Sequence, residues 1–212
     1  MTEPDVTLTD YALFLLCSFF SWSLKRQVSS NKNIRFLWVI FFASVALASL
    51  TGGTVHGFFL DGTSLGFRFL WPVTLILIGI SASTVWILAG LLLTGRENLN
   101  VWKAFSGITF IIYVAAVLFY SQSFTLVILN YLPAMLVLLA AAFWTYLRDR
   151  SRPHLIICLG IILSLLAAGA QQAHFALHPV YFNHNSTYHL IQAFGLVVLF
   201  HAAKNWMTSE RI

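Results

Sequence analysis

The sequence contains few charged residues: Asp, Glu, Lys and Arg together make up 9% of its 212 residues. A soluble globular domain usually carries about 25%, so this scarcity excludes water as the solvent around most of the chain. Hydrophobic residues make up 59% and aromatic residues 16%, a composition typical of helices that contact lipid and place aromatic rings at both interfaces. We therefore predict an all-α polytopic membrane protein with one domain over residues 1–212.

Cysteine and early basic residues are also scarce. Cys17 and Cys158 are the two cysteines, and both lie inside apolar runs, which excludes a disulfide framework. The first fifteen residues contain no Lys or Arg, unlike the start of a signal peptide, so we expect the N-terminus to be retained. The net charge of +5 comes from short connections between apolar runs. Basic residues there are topology signals, and we expect no nucleic-acid partner.

Seven apolar segments are long enough to cross a bilayer, which takes about 20 residues. They cover residues 9–24, 34–59, 66–94, 104–121, 125–147, 155–177 and 187–207. The fourth and fifth segments are separated by Ser121, Gln122 and Ser123, which predicts a tight turn. Pro72 and Pro133 fall inside segments, where neighbouring helices compensate for the lost hydrogen bond, so each predicts a bend rather than a break.

Positive charge is distributed asymmetrically among the connections. Eleven of the twelve Lys and Arg residues follow the first, third, fifth or seventh segment, and only Arg68 lies on the opposite side. Because Lys and Arg are enriched in cytoplasmic loops, this distribution predicts that the N-terminus lies outside and the C-terminus in the cytoplasm.

Five of the seven histidines fall on the predicted outer side at about one depth: His56, His174, His178, His184 and His189. On a continuous sixth helix, His174 and His178 stand four residues apart on one face, a spacing that suits metal chelation. The other two, His154 and His201, lie towards the cytoplasmic side, and we interpret them as interface or packing residues.

Other polar residues accompany these histidines at the outer side. We expect a polar pocket there, because amides are costly against lipid. It includes His174, Gln171, Asn185, Gln192 and Thr54. The pair Gly52–Gly53 removes side-chain bulk and predicts the close approach of a neighbouring helix. The acidic residues on this side are Glu3, Asp5, Asp10 and Asp61. Of these, Asp10 is expected to reach the bundle interior, as a hydrogen-bond partner of a histidine or as a general base.

Neutral imidazoles from separate helices predict a transition-metal site, and we interpret it as zinc with an open position for water. His56, His184 and His189 are the predicted ligands. The metal would activate a water for attack on a carbonyl, with proton transfer through Asp10. Three alternatives stay open: ordinary polar loop histidines, haem held by two histidines, and a non-catalytic subunit that packs against a larger membrane complex or binds a lipid or pigment.

Two stretches resemble a known superfamily. LTGGTVHGFF (50–59) and NHNSTYHLIQ (183–192), in a chain of seven spans with the N-terminus outside, resemble the CREST membrane hydrolases, which include alkaline ceramidases and adiponectin-receptor-type proteins. The resemblance implies zinc held by one histidine of the second span and two of the seventh, and hydrolysis of a lipid amide or ester at the outer leaflet. Gly52 stands where that superfamily has a serine, and Asn185 where it has a histidine.

A second resemblance is to an uncharacterised family of bacterial inner-membrane proteins. It rests on Thr9-Asp10-Tyr11, on the element GGT-x-HG at 52–57, and on the ending QQ…LH…FNHN-x-x-YH-x-IQ at 171–192. This resemblance implies a location in the bacterial inner membrane. It also implies that five residues form one constellation: Asp10, His56, His184, Asn185 and His189.

Overall fold

The computed structural model describes residues 1–29, 31–178 and 180–208. Its helices are α1 (Pro4–Arg26), α2 (Lys32–Phe58), α3 (Leu65–Thr94), α4 (Leu99–Phe119), α5 (Phe124–Asp149), α6 (Arg152–Gln172) and α7 (His184–Thr208). All seven helices in the described ranges are long and apolar enough to cross a membrane. The chain is therefore a multi-pass bundle in a lipid bilayer, which confirms the predicted fold class.

Helix ends follow local side-chain chemistry. The Asn31 side chain accepts hydrogen bonds from the first free amides of α2, and the Ser64 hydroxyl accepts one from the Phe67 amide of α3. α1 and α4 begin at residues 4 and 99 rather than at the predicted 9 and 104. Pro72 and Pro133 lie inside continuous helices, which confirms that neither proline breaks its span.

The end of α6 corrects one prediction. The helix stops at residue 172 rather than 177. The His174 amide donates to the Gln171 carbonyl (3.0 Å), and the Phe175 amide donates to the Ala170 carbonyl (2.9 Å). His174 itself has left-handed backbone geometry (φ 53°), and together these features form the Schellman arrangement that ends many helices. The prediction that His174 and His178 share one helix face is therefore wrong.

Six helices form a closed ring in the order α1, α2, α3, α5, α6 and α7, and α4 packs outside the ring against α3. Glycines allow close approaches between ring neighbours at several places, of which two border the site described below. A Cβ atom at Gly53 would lie 2.7 Å from the Asp10 Cβ, and one at Gly195 would lie 2.9 Å from the Ser164 Oγ. This confirms the close approach predicted from the Gly52–Gly53 pair. Gly53 has no side chain, so α1 can pack directly against the backbone of α2 there.

The two ends of the ring differ in packing. We call the end that holds the chain's N-terminus the N-terminal side and the opposite end the C-terminal side. The C-terminal side is filled by buried aromatic rings: Phe20, Trp38, Phe41, Phe42, Phe200 and Trp206. Phe20 and Phe200 stack with ring centroids 4.2 Å apart. The N-terminal side instead contains an internal cavity.

Candidate functional site

A cavity of about 390 Å³ lies on the N-terminal side, and every helix of the ring contributes to its wall. About half of the lining side chains are apolar, and they include Leu13, Val45, Ile78 and Met135. The polar lining includes six residues singled out in the sequence: Asp10, His56, Gln171, Asn185, His189 and Gln192. The cavity therefore joins an apolar space to a set of polar side chains near one end of the bundle.

Asp10 and His189 form the more buried of the two acid–histidine contacts beside this cavity. The carboxylate oxygen Oδ1 of Asp10 lies 3.4 Å from Nε2 of His189, and their side chains are only 8% and 11% exposed. Asp10 lies in the second turn of α1 and His189 in the second turn of α7. Two ionisable groups thus meet where α1 and α7 close the ring.

Thr9 lies on the other side of the His189 ring from Asp10. Its hydroxyl oxygen is 2.9 Å from the carbonyl oxygens of Asp5 and Val6 and 2.9 Å from Nδ1 of His189. The single hydroxyl hydrogen goes either to a carbonyl or to Nδ1, and this choice sets the tautomer of His189. Nε2 of His189 faces the Asp10 carboxylate.

The start of α7 is held against α1 by a second carboxylate. Asp5 accepts hydrogen bonds from the Asn183 amide and the Ser186 hydroxyl, both at 3.1 Å. The Asn183 side chain in turn accepts from the amides of Asn185 (2.9 Å) and Ser186 (3.1 Å). An acceptor cap and an anion both stabilise a helix N-terminus. These contacts fix the register of α7, and hence the position of His189 opposite Asp10.

His56 lines the same cavity from the last turns of α2. Its Nδ1 contacts the Glu3 carboxylate, and its ring lies edge-on to Trp71, with centroids 6.4 Å apart. The backbone amides of Thr2 and Glu3 bond to the carbonyls of Gly57 (3.0 Å) and His56 (3.3 Å). The residues that precede α1 therefore fix the position of His56.

Two amide side chains connect α6 and α7 along the cavity wall. Gln171 donates to the Asn185 side-chain oxygen, and Gln192 donates to the Ser164 hydroxyl, both at 3.2 Å. These hydrogen bonds satisfy polar groups that would otherwise be costly inside a bilayer.

The remaining predicted site residues lie elsewhere on the N-terminal side. His184 packs against His174, with ring centroids 4.6 Å apart, and neither is among the described residues that line the cavity. Thr54 lies between α1 and α2, where its hydroxyl is 3.2 Å from the Tyr11 hydroxyl. His178 is used in a turn, where its Nδ1 accepts from the amides of residues 180 and 181.

The fit of a zinc ion to these residues is partial. The 3.4 Å between Asp10 Oδ1 and His189 Nε2 is close to the separation of two ligands in a tetrahedral site with bonds of about 2.0–2.1 Å. Over residues 1–29, 31–178 and 180–208, however, no group of three or more His, Cys, Asp or Glu side chains is arranged to hold a metal. The zinc site built from His56, His184 and His189 stays a prediction, as do haem and pigment.

Asp61 lies in the turn between α2 and α3 and forms hydrogen bonds within that turn. Its carboxylate accepts hydrogen bonds from the Thr63 amide (2.9 Å) and hydroxyl (2.7 Å). These bonds stabilise the ionised form and lower the pKa of the Asp61 carboxyl below its usual value. Asp61 is therefore an exposed anion with a structural role in the connection.

Several residues of the cavity wall and its surroundings were not predicted from the sequence. α5 contributes Val127, Ile128, Tyr131 and Met135 to the wall, spaced as one helix face. α5 is apolar all round, so this inward face carries no contrast with the lipid-facing residues. Glu3, Asp5 and Thr9 were also missed as partners, because only the assembled bundle brings their contacts together.

The chain was compared with known proteins. A family model described as a family of unknown function, DUF6962, matches residues 6–208. No curated protein and no solved structure matches the chain. Because the match covers nearly the whole length, the chain belongs to the DUF6962 family of unknown function.

Proposed function

We propose that this protein binds an amphipathic, lipid-like molecule in the cavity of the N-terminal side, in the outer leaflet of a bacterial inner membrane. The observation that carries the proposal is the buried Asp10–His189 pair, which lines a cavity with an extensive apolar wall. A volume of about 390 Å³ lies at the low end of the range of about 300–1,000 Å³ for small-molecule sites. Such a space suits one chain with a small polar head.

The wall of the cavity supports an amphipathic ligand rather than a purely apolar one. The Asp10–His189 pair supplies a donor and an acceptor for a polar head, together with the amides near the end of α6 and the start of α7. The deeper wall, with Val45, Ile78 and Met135, suits a hydrocarbon chain. Polar groups that are buried together fix orientation and specificity in such pockets.

The gap between α5 and α6 is the route of entry that we propose. Leu132 lines the cavity while 39% exposed, and Ile128 and Leu165 line it while partly exposed. Pro133 lies inside α5 next to this stretch, and nearly all buried residues of α5 follow it. A side chain that faces both the cavity and the lipid surface marks a lateral opening. A membrane lipid would enter there without crossing water.

The test uses purified protein in mild detergent with two probes, the fatty-acid amide oleamide and a hydrocarbon of equal length. We expect the wild type to bind oleamide and to bind the hydrocarbon much more weakly. Asp10→Asn removes the carboxylate that faces His189 and is expected to weaken oleamide binding by about tenfold, since a buried hydrogen bond to a charged group contributes about 1.5–3 kcal/mol. Isothermal titration calorimetry measures both affinities.

Asp61→Asn is the matched control, because it makes the same chemical change on an exposed turn of the same side. Its oleamide affinity should equal that of the wild type. Equal binding of both probes would contradict the polar recognition that we propose. Equal oleamide affinities of Asp10→Asn and Asp61→Asn would contradict it as well.

A second candidate is hydrolysis of a lipid amide or ester, and the buried carboxylate–imidazole pair of Asp10 and His189 favours it. In this scheme a water attacks the carbonyl, one carboxylate accepts the water's proton, and the departing amine or alcohol takes a proton as it leaves. The superfamily resemblance implies that a zinc ion held by His56, His184 and His189 would polarise the carbonyl. Of these three histidines, His56 and His189 line the cavity and His184 does not.

Elemental analysis of the detergent-purified protein, combined with release of free fatty acid from oleamide, tests this candidate. Hydrolysis predicts one zinc per chain, loss of zinc in His56→Ala and His189→Ala, and no fatty-acid release without the metal. Binding of intact oleamide by a protein that neither holds zinc nor releases fatty acid would reject hydrolysis and leave the binding function in place.

A further inference from the structure

A second cavity, of about 520 Å³, lies on the C-terminal side between the end of α3 and the connection from α5 to α6. Its walls are the stretch 91–95 at the end of α3 and just beyond it, and the stretch 148–154, together with Thr145. It is separate from the cavity described above, with which it shares no lining residue. On the predicted topology it faces the cytoplasmic leaflet.

Positive charge dominates the wall of this cavity. Arg148, Arg150 and Arg152 all line it, together with one carboxylate, Asp149. Asp149 is paired with Arg148 through two hydrogen bonds of 2.9 Å. Among the described residues, Arg150 and Arg152 form no ion pair with a carboxylate. Two exposed arginines therefore line the cavity without an ion-pair partner in residues 1–29, 31–178 and 180–208.

A buried histidine completes the same wall. His154 is only 4% exposed, and within the described chain neither of its ring nitrogens has a hydrogen-bond partner. Its ring packs edge-on against Trp206, with centroids 5.3 Å apart. A buried imidazole without partners is costly, because both nitrogens lose their water without replacement. This cost is removed if a ligand in the cavity offers an oxygen to the ring.

The start of α6 adds a third element. The Ser151 side chain occupies the N-cap position but makes no capping hydrogen bond, so it is available to a ligand at the positive end of the helix dipole. Guanidinium groups bind phosphate oxygens in pairs, which makes arginine the preferred cation for this anion.

We propose that this second cavity binds a phosphate-type anion, either the phosphate headgroup of an anionic lipid or free phosphate. Arg150 and Arg152 neutralise the anion, and His154 donates a hydrogen bond to one of its oxygens. Positive charge on this side is also expected from topology alone. Topology, however, accounts neither for a cavity beside the arginines nor for the unpartnered histidine that lines it.

The experiment titrates the detergent-purified protein with phosphatidylglycerol, with phosphatidylcholine and with inorganic phosphate, and counts bound molecules by native mass spectrometry. We expect phosphatidylglycerol to bind at one site with clear preference over phosphatidylcholine. The double variant Arg150→Gln/Arg152→Gln should weaken this binding by about tenfold or more, because two charge-assisted contacts are removed. Competition by inorganic phosphate alone identifies a soluble anion as the source, and its failure identifies the lipid headgroup.

The control is Lys25→Gln/Lys32→Gln, which removes the same charge from exposed positions on the same side but outside the cavity wall. Its affinity for phosphatidylglycerol should stay within about twofold of the wild type. His154→Phe keeps the contact with Trp206 and removes both nitrogens, so it should weaken binding several-fold while thermal unfolding shows an intact fold. Equal losses in the two double variants, or unchanged binding in His154→Phe, would overturn the proposal. Neither result bears on the cavity of the N-terminal side.

Discussion

The N-terminal and C-terminal sides of the bundle differ in whether their buried polar groups have partners. On the N-terminal side, Asp10, Asp5 and Glu3 each contact a side chain of another helix. On the C-terminal side lie all the described buried side-chain atoms that lack a hydrogen-bond partner: those of Gln27, Asn31, Trp38, His154 and Trp206. Polar groups that already have partners around a cavity can orient a ligand. Polar groups without a partner among the described residues need a partner from outside those residues.

The same contrast applies to apolar packing. The C-terminal side is closed by rings in contact, such as Phe42, whose centroid lies 5.1 Å from Phe41 and 5.4 Å from Phe20. The N-terminal side keeps an open space in the middle of six helices. Because lipid is as apolar as a protein core, packing contacts provide much of the attraction between helices in a membrane. We infer that the aromatic end contributes most of the stability and that the open end is kept for binding.

The largest effect is expected from Phe42→Ala in the aromatic core. Phe42 is fully buried, so its truncation should lower the free energy of unfolding by about 3 kcal/mol or more. The matched change Phe124→Ala, in the cavity wall, should cost less than about 1 kcal/mol, since it enlarges an existing space. Reversible unfolding in mixed detergent measures both values. Equal losses would contradict the division of the bundle into a stabilising end and a binding end.

The next effect concerns the contact between α1 and α2. Gly53→Ala places a Cβ 2.7 Å from the Asp10 Cβ, so it should cost about 1–3 kcal/mol by overpacking and should also weaken oleamide binding by moving Asp10. Gly107→Ala is the control, because nothing lies within 4 Å of the added atom, and its effect should be neutral or slightly stabilising. If Gly53→Ala binds oleamide as tightly as the wild type, this would contradict a role for the position of Asp10 in oleamide recognition.

The smallest effect is expected at the lateral opening between α5 and α6. Leu132→Trp should fill the opening and slow the exchange of bound oleamide by about threefold to tenfold, with little change in stability. Leu136→Trp lies one turn further along α5, exposed but outside the cavity lining, and should leave the exchange rate unchanged. Stopped-flow fluorescence follows the exchange. Identical rates in the two variants would place the entrance elsewhere.

Much of the fold was predictable because membrane spans need long apolar runs. The turn at 121–123 and the tolerance of Pro72 followed from that requirement. The end of α6 did not, because the left-handed residue that stops it is His174 rather than the glycine that usually signals such a stop. Asp10, His56 and His189 stood out as polar residues inside apolar segments, whereas Tyr131 and Met135 resembled any lipid-facing residue.

The sequence alone determined seven spans, the charge asymmetry and the end of the bundle at which each histidine lies, because a helix rises by about 1.5 Å per residue and hydrocarbon excludes charge. Only the tertiary structure decided which polar residues meet, because depth leaves rotation about each helix axis open, and that rotation depends on contacts such as Gly53 against Asp10. Asp10 thus faces His189, while His184 turns to His174. Helix packing brought together one buried pair at a depth where five histidines were candidates.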